Sequence, residues 1–469
     1  MTVPAALWPG RDQRLAEQSR LSAQLADALD AVQAGPVACM PTPAVLRAAL
    51  SQFDFKTPRA IGEVSKAVIG LLQDGLVHVM HPGYFGLFNP SVAFPALLAD
   101  QITASFNPQM AAWSQAAAAN EIERHTLKAI AARFGWQADT ACGHFTSGGA
   151  EANLTSVICA LTHAFPDYGD GGAAAIGGAP KLYVSAESHL AWLKIAHQCG
   201  IGRDAVRLVA TDGMGQMDAE ALSRAVAADR AQGHLPFFIG ATAGTTNAGM
   251  IDPLQACARI ARAEKLWLHI DAAWGGAAIL SARPPERLKG MDLADSITLD
   301  AHKWLATPMG AGMFLCRNEA LLGQAFRVSA SYMPPATESV FDPYTHSAQW
   351  SRRFVGLKLF MALAVLGWDG YQAHIDQARG LANRLVALLG ANGWRVVNDS
   401  PLAVVCFVDA KVAADPLLVA ERVVADGRAW ISAARFEGRP VLRACITSHF
   451  TRPEHLEALV AALETARAP

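Results

Sequence analysis

Apolar and polar positions divide the 469-residue chain into three stretches. In residues 1–93 apolar side chains recur at helical spacing. Arg11 to Ala34 reads as an amphipathic helix ending at Gly35-Pro36, and Ile61 to Val77 as another. Pro36, Pro41, Pro43 and Pro58 punctuate these pieces. Helices with no strand to cover are poorly stable alone, so this stretch is expected to clasp another surface. Residues 94–353 change character: short apolar runs alternate with helical patterns. GHFTS precedes a helix from Ala150, KLYVSA a helix through Ile195, VRLVAT the run Ala219–Ala231, and PFFIGATA a helix from Leu254. LWLHIDAA, DSITLDA and GAGMFLCR follow. Strands this apolar belong to a sheet covered on both faces, which predicts a mostly parallel α/β architecture. Residues 354–469 read as a smaller α/β unit: helices Phe354–Leu366 and Tyr371–Leu389, strand AVVCFVDA, helix Pro416–Ala425, strand VLRACIT and helix Pro453–Ala466. The Gly/Ala-rich stretch GDGGAAAIGGAP (169–180) is expected to be a surface loop.

Composition first raises a membrane question, because 52% of residues are hydrophobic and only 17% charged, against about 25% in average soluble proteins. No window approaches the roughly 18 apolar residues of a spanning helix. The best, GLKLFMALAVLGW from Gly356, carries Lys358. The start, MTVPAALWPGRDQR, has no basic segment followed by an apolar one, so no signal peptide is read and a cytoplasmic location is expected. A net charge of −2 lacks the footprint of a nucleic-acid binder. The eight cysteines form no C-x-x-C, and H-E-x-x-H is absent, so no metal site is expected and the thiols read as buried and free. Dinucleotide, P-loop and esterase motifs are missing too.

In parallel sheets chemistry collects at the carboxyl ends of strands. Three motifs sit there. TSGGAEANL places Ser147, Gly148 and Gly149 between a strand and a helix, where backbone N–H groups and the helix dipole suit a phosphate, though an ordinary glycine turn reads equally well. LHIDAAWGG ends a strand on Asp271, a carboxylate that needs a cation or donor, or serves as a helix cap. SITLDAHKWL carries Lys303 among apolar residues, where desolvation would make the free amine a nucleophile toward carbonyls; the alternative is a snorkelling surface lysine. Together they are what pyridoxal 5′-phosphate requires: a phosphate cradle, a carboxylate for the pyridine nitrogen and a lysine for the aldehyde.

At these residues the chain closely resembles the group II pyridoxal-phosphate-dependent amino acid decarboxylases, the family of aromatic-L-amino-acid, glutamate and histidine decarboxylases. HPGYFGLFNP (81–90), TSGGAEANL (146–154), SAESHLAWLKIAHQCGIG (185–202), TAGTTNAGMIDP (242–253), HIDAAWGG (269–276), DAHKWL (300–305) and SRRFVGLKLF (351–360) carry the resemblance. It implies the aspartate-aminotransferase-like fold (fold type I), with a seven-stranded, mostly parallel sheet. Residues 1–93 would be a dimer clasp, 94–353 the large cofactor domain and 354–469 the small C-terminal domain of a homodimer with active sites at its interface.

By position, the resemblance implies that Lys303 bonds the cofactor's aldehyde, Asp271 partners its ring nitrogen, His189 stacks on the ring and Ala273 packs on the opposite face. Thr246 would lie near the aspartate, and Ser147, Gly148, Gly149 and His302 at the phosphate. Tyr332, in SASYMPPATES, would protonate the substrate carbon after carbon dioxide leaves. Tyr84, Phe85, Phe88 and Trp113 are candidates for the substrate pocket, Trp113 reading equally as a core aromatic. No extra arginine appears in residues 78–90, which favours an aromatic or apolar L-amino acid over an acidic one. The alternatives are an acidic or diamino acid substrate, oxidative aldehyde formation, or a non-catalytic cofactor-binding scaffold.

Overall fold

The computed structural model describes residues 7–89, 91–137, 139–328, 340–411 and 414–467. Helices α1 (Arg11–Ala34), α2 (Pro43–Leu50) and α3 (Ile61–Gln73) come first, and none of them buries a residue. Leu15, Leu21 and Leu25 of α1 and Val68 and Leu72 of α3 face solvent. The third helix stops short of the expected Val77: the Asp74 N–H closes on the Gly70 carbonyl, and Val77 pairs with Ala38 instead.

Two helices that the hydrophobic pattern missed come next, α4 (Phe94–Phe106) and α5 (Ala117–Arg133). The apolar stripe of α5 is interrupted because Asn120, Glu123 and Thr126 are themselves buried; Glu123 is bridged to Arg352, Nη2 to Oε2 at 2.6 Å.

The large unit then alternates as the sequence predicts. Its elements are β1 (Cys142–Thr146), α6 (Gly149–Ala164), α7 (Tyr168–Gly171), β2 (Pro180–Ser185), α8 (Ala191–Gln198), β3 (Val206–Val209), α9 (Ala219–Ala231), β4 (Leu235–Thr242), α10 (Leu254–Glu264), β5 (Trp267–Asp271), β6 (Ser296–Asp300), β7 (Gly312–Cys316) and α11 (Glu319–Phe326). The seven strands run in the order β1-β7-β6-β5-β4-β2-β3. All pairs are parallel except those of β7, which runs antiparallel to both β1 and β6. Every residue of β1, β2, β5, β6 and β7 is buried, as a sheet covered on both faces demands. Residues 169–180 are no open loop. They form α7 and a 3₁₀ turn (Gly172–Ile176), pinned by the buried Ile176 and by the Tyr168 hydroxyl on the Cys199 carbonyl at 3.0 Å.

The 35-residue helix α12 (Leu357–Ala391) combines the two helices expected there, joined at a kink where Gly367 has φ 64°. Beyond it β8 (Trp394–Val396), β9 (Val404–Asp409), α13 (Pro416–Asp426), β10 (Ser432–Phe436), β11 (Arg439–Cys445) and α14 (Pro453–Arg467) complete the chain. These strands form an antiparallel sheet in the order β10-β11-β9-β8. Strands β8 and β10 escaped the hydrophobic pattern, being short and partly exposed.

The two sheets meet at the loop after β4. Four successive backbone carbonyls of that loop are gripped by the smaller unit: Thr246 by Arg443 Nη1 (2.6 Å), Asn247 by Cys406 Sγ (3.2 Å), Ala248 by Asn398 Nδ2 (2.8 Å) and Gly249 by Ser400 Oγ (2.7 Å). Among the described residues no helix is long and apolar enough to cross a membrane. All eight cysteines are free, Cys39 half-buried and the others buried.

Candidate active site

The carboxyl ends of β4, β5 and β6 and the N-terminus of α6 enclose a cavity of about 380 Å³, within the range of small-molecule sites. Of the residues singled out from the sequence, Ser147, Gly148, Gly149, His189, Thr246, Asp271, Ala273, His302, Lys303 and Phe88 line it. Tyr84, Phe85 and Trp113 do not. Tyr84 is buried against Trp430, with ring centroids 5.6 Å apart, Phe85 lies in the main core, and Trp113 donates from Nε1 to Glu121 at 2.8 Å. Tyr332 lies outside the described residues.

Lys303 follows β6 by three residues, and its setting is not the apolar one expected from its neighbours. Trp304 and Leu305 point into the core, while the Lys303 ammonium enters the polar cavity and pairs with Asp300 Oδ2 at 3.0 Å. Asp300 is itself buried, and its Oδ1 has no hydrogen-bond partner among the described residues. Nor has the buried Thr242 Oγ1 on the same wall. His302 accepts the Ala311 N–H at Nδ1 (3.1 Å), so its neutral ring carries its proton on Nε2, 3.8 Å from Asp300. Burial pushes the His302 pKa down.

At the start of α6 the Ser147 N–H is already spent on Glu151 Oε2, at 2.7 Å, and Gln349 Nε2 donates to the other oxygen of Glu151. The Gly149 and Ala150 N–H groups, in the first turn, are then the donors left for an anion. A Cβ on Gly149 would lie 3.0 Å from Asp300 Oδ2 and 3.3 Å from Ala273 Cβ, intruding on the cradle.

His189 sits at the start of α8 and faces the cavity. Its Nδ1 accepts the Ala191 N–H at 3.1 Å, capping the start of α8, and the ring this orients lines the cavity. Asp271 ends β5 with donors on both oxygens: Asn153 Nδ2 on Oδ2 at 2.8 Å and the Ala273 N–H on Oδ1 at 3.2 Å. Phe88 rests on Trp274, with centroids 4.4 Å apart, and the Arg443 guanidinium lies 5.5 Å from the Phe88 ring centroid.

Asp300, Thr242 and Asn153 were missed from the sequence. Asp300 had a readable signal, since it ends a buried strand as Asp271 does.

The model of the pyridoxal-dependent decarboxylase conserved domain matches residues 48–409. The chain belongs to the pyridoxal-dependent decarboxylase family. Similar curated proteins include an aromatic-L-amino-acid decarboxylase of Bacillus atrophaeus, 29% identical over 81% of this chain and 80% of that one. An L-2,4-diaminobutyrate decarboxylase of Rhizobium meliloti is 33% identical over 67% of this chain and 62% of that one. The crystal structure of Oryza sativa TDC with PLP and tryptamine superposes with a TM-score of 0.92 at 23% identity, covering 99% of both chains. That of mouse CSAD in apo form gives 0.87 at 26%, covering 96% of this chain and 99% of that one. The protein is thus a pyridoxal-phosphate-dependent amino acid decarboxylase with fold type I architecture.

This decarboxylase's cavity fits pyridoxal phosphate on its own geometry. Glycine N–H donors lie at one end and the donor-bound Asp271 carboxylate is set into the wall. A lysine stands between them, and the orphaned Thr242 Oγ1 and Asp300 Oδ1 await a polar ligand.

Proposed function

We propose that this decarboxylase converts an L-amino acid with an aromatic or apolar side chain to the corresponding amine and carbon dioxide, acting as a homodimer in the cytoplasm. The observation that carries the substrate reading is the pairing of charges around the cavity. Among the described residues Asp271 is engaged by Asn153 and Glu151 by Ser147 and Gln349, while Asp300, held by Lys303 on one oxygen, keeps the other for the cofactor, which leaves little to hold a side-chain ammonium. The lining contains one lysine and no arginine to hold a side-chain carboxylate. The nearby Arg443 is committed to the Thr246 and Gly86 carbonyls and the Ser432 hydroxyl. What remains beside the reacting centre is aromatic, Phe88 on Trp274.

Pyridoxal phosphate, when bound, accepts the electron pair that the departing carboxylate leaves. The protein's own groups prepare for that. The N–H groups of Gly149 and Ala150 hold the phosphate, with the His302 Nε2–H beside them. Asp271 keeps a proton on the ring nitrogen. His189 and Ala273 sandwich the ring, and Thr246 lies near the aspartate. Lys303 would hold the aldehyde end and, as a free amine, could pass a proton to or from the substrate's amine. Tyr332 delivers a proton to the α-carbon once carbon dioxide has left.

The exposed apolar positions of α1 and α3 border a groove of about 200 Å³ that includes Leu25, Val32, Leu72 and Val77, and they support a second copy of the chain as the occupant. The deciding experiment supplies the twenty L-amino acids plus dihydroxyphenylalanine, 5-hydroxytryptophan and diaminobutyrate, and follows amine and carbon dioxide. Preference for tryptophan, phenylalanine, tyrosine or leucine supports the reading. Turnover confined to aspartate, glutamate or diaminobutyrate overturns it. Sedimentation at micromolar concentration tests the dimer, which Leu25→Glu with Leu72→Glu is expected to weaken.

A further inference from the structure

Behind Asp271 lies a polar network that neither sheet packing nor the cavity lining requires. Trp267, His269 and Asp271 share one face of β5 by the two-residue period of a strand, and Ser296 and Thr298 occupy the facing positions of β6. Asn153 reaches down to them from α6. All but Asp271, at 8% exposure, are 4% exposed or less.

The chemistry of the donors gives this network a direction. The Trp267 indole can only donate, and it donates to Ser296 Oγ at 2.8 Å. The Ser296 hydroxyl, 2.8 Å from His269 Nδ1, could accept or donate, and the far end decides: Asn153 Nδ2 donates to Asp271, so Asn153 Oδ1 must accept from His269 Nε2, which leaves Nδ1 to accept the Ser296 proton. The His269 ring proton then sits on Nε2 and is donated to Asn153 Oδ1 at 3.0 Å, which also accepts from Thr298 Oγ1 at 2.7 Å. With its oxygen so occupied, Asn153 turns Nδ2 toward Asp271 Oδ2 at 2.8 Å. Burial holds His269 neutral, its pKa pushed down to about 4.

We infer that Trp267, Ser296, His269 and Asn153 form a one-way hydrogen-bond relay that presents only donors to Asp271 and keeps it an acceptor for the protonated ring nitrogen of the cofactor. The bonds of the chain run toward the carboxylate, with one side branch from His269 Nε2 to Thr298 Oγ1 at 3.2 Å, so the chain can stabilise its charge but offers no site to take a proton from it. His269 is a positioning residue, outside the cavity lining like the β6 hydroxyls, and Asn153, which does line the cavity, acts through its bond to Asp271. The other titratable groups that line the cavity with the carboxylate are Asp300 at the end of β6, His302 and Lys303 beyond it, His189 from before α8 and Glu151 from α6. None of them donates to it.

This inference rests on the reading of Asp271 as the ring nitrogen's partner, so Asp271→Asn is the control. The measurement is the pH titration of the visible absorption of the cofactor-loaded protein, with the apo-protein's affinity for pyridoxal phosphate and its Tm measured in parallel. His269→Leu and Asn153→Ala are expected to shift the spectral midpoint by about one pH unit. They should lower kcat roughly 10- to 100-fold with KM little changed, as loss of an outer-shell partner does. His269→Gln and Asn153→Thr, which keep a donor in place, are expected to restore most of both. Selective ¹⁵N labelling of histidine should report Nε2 as the protonated ring nitrogen of His269. Should a variant fail to fold, the near-isosteric Thr298→Val weakens the same junction and gives the same, smaller shift. An unmoved spectral midpoint, or activity lost only in step with Tm, overturns the relay. An unmoved midpoint in Asp271→Asn itself overturns the underlying assignment instead.

Discussion

Glu151 accepts the Ser147 N–H through Oε2 at 2.7 Å, so α6 closes its own first turn with a carboxylate and leaves the next N–H groups for the phosphate. Glu151→Ala is therefore expected to cost about 1 kcal/mol of stability, the size of a helix cap. Pyridoxal phosphate should still bind within about tenfold of the wild-type affinity, a change of roughly 1.4 kcal/mol or less. Equilibrium denaturation and cofactor titration check both. A loss of affinity far beyond tenfold would place Glu151 among the phosphate ligands.

Gly149 lacks the atom that would fill the cradle. Gly149→Ala sets a Cβ 3.0 Å from Asp300 Oδ2, and overpacking of this kind costs about 1–3 kcal/mol. The cofactor's Kd should rise roughly tenfold or more while the apo-protein keeps its fold by circular dichroism. Unchanged affinity would mean the phosphate lies elsewhere.

Lys303→Ala removes the one lysine that lines the cavity among the described residues. Borohydride, which bleaches the visible absorption of the wild-type holoprotein and fixes the cofactor to the chain, should no longer do so, and no peptide should carry reduced cofactor by mass spectrometry. Turnover should fall by roughly 10²–10⁴-fold or more, as for the loss of a positioned acid–base group. A variant still labelled elsewhere would move the tether to another lysine.

Tyr332→Phe addresses decarboxylation against oxidation. Without a proton donor at the substrate carbon, that carbon is exposed to molecular oxygen. The expected products are then aldehyde, ammonia and hydrogen peroxide alongside carbon dioxide, measured with a peroxide-coupled assay. Wild-type protein should give amine and little peroxide. Unaltered amine yield in the variant would assign the proton to another group.

Two buried histidines, His144 and His269, and the half-buried His374 link stability to pH. Desolvation pushes His144 down to about 3 and His269 and His374 to about 4. Each takes up a proton on unfolding once the pH is below the ordinary histidine value near 6.5. Stability is therefore intact above that pH and falls as pH drops toward the folded values, by up to about 1.4 kcal/mol per pH unit for each group. Asp252, raised by burial to about 6, opposes this, as do Asp295 and Glu187, while His81, His302, His346, His449 and His455, lowered by burial, add to it. The urea midpoint should fall between pH 7.5 and 5.5. His144→Leu, which removes a ring with neither nitrogen hydrogen-bonded among the described residues, should flatten that slope by about one proton. An identical slope would assign the pH dependence to other groups.

Much of the site was legible because its residues end strands. Asp271 and Lys303 follow buried runs whose apolar character is visible, and the glycines of 148–149 stand where a strand must turn into a helix. The relay was not legible because WLHID and SITLD were read as uniformly apolar. Their second period, Trp267-His269-Asp271 and Ser296-Thr298-Asp300, was in plain view, but buried polar residues only make sense once the facing strand supplies partners. The Lys303 environment was misread for a related reason. The neighbours in sequence, Trp304 and Leu305, turn away from it, so sequence proximity said nothing of what the ammonium meets. Helix α5 was missed because its buried face includes the Glu123 carboxylate, whose partner Arg352 lies 229 residues away.

The grip of the smaller unit on the carbonyls of residues 246–249 makes the C-terminal sheet a keystone of the cofactor cavity. Main-chain oxygens are the same for every amino acid, so this hold on the loop's course does not itself depend on the loop's side chains. The vulnerability is transferred to Arg443, Cys406, Asn398 and Ser400. Damage that loosens β9 or β11 should release the cofactor while the seven-stranded sheet is still folded, making loss of colour an early gauge of wear in a part of the molecule that never touches the chemistry.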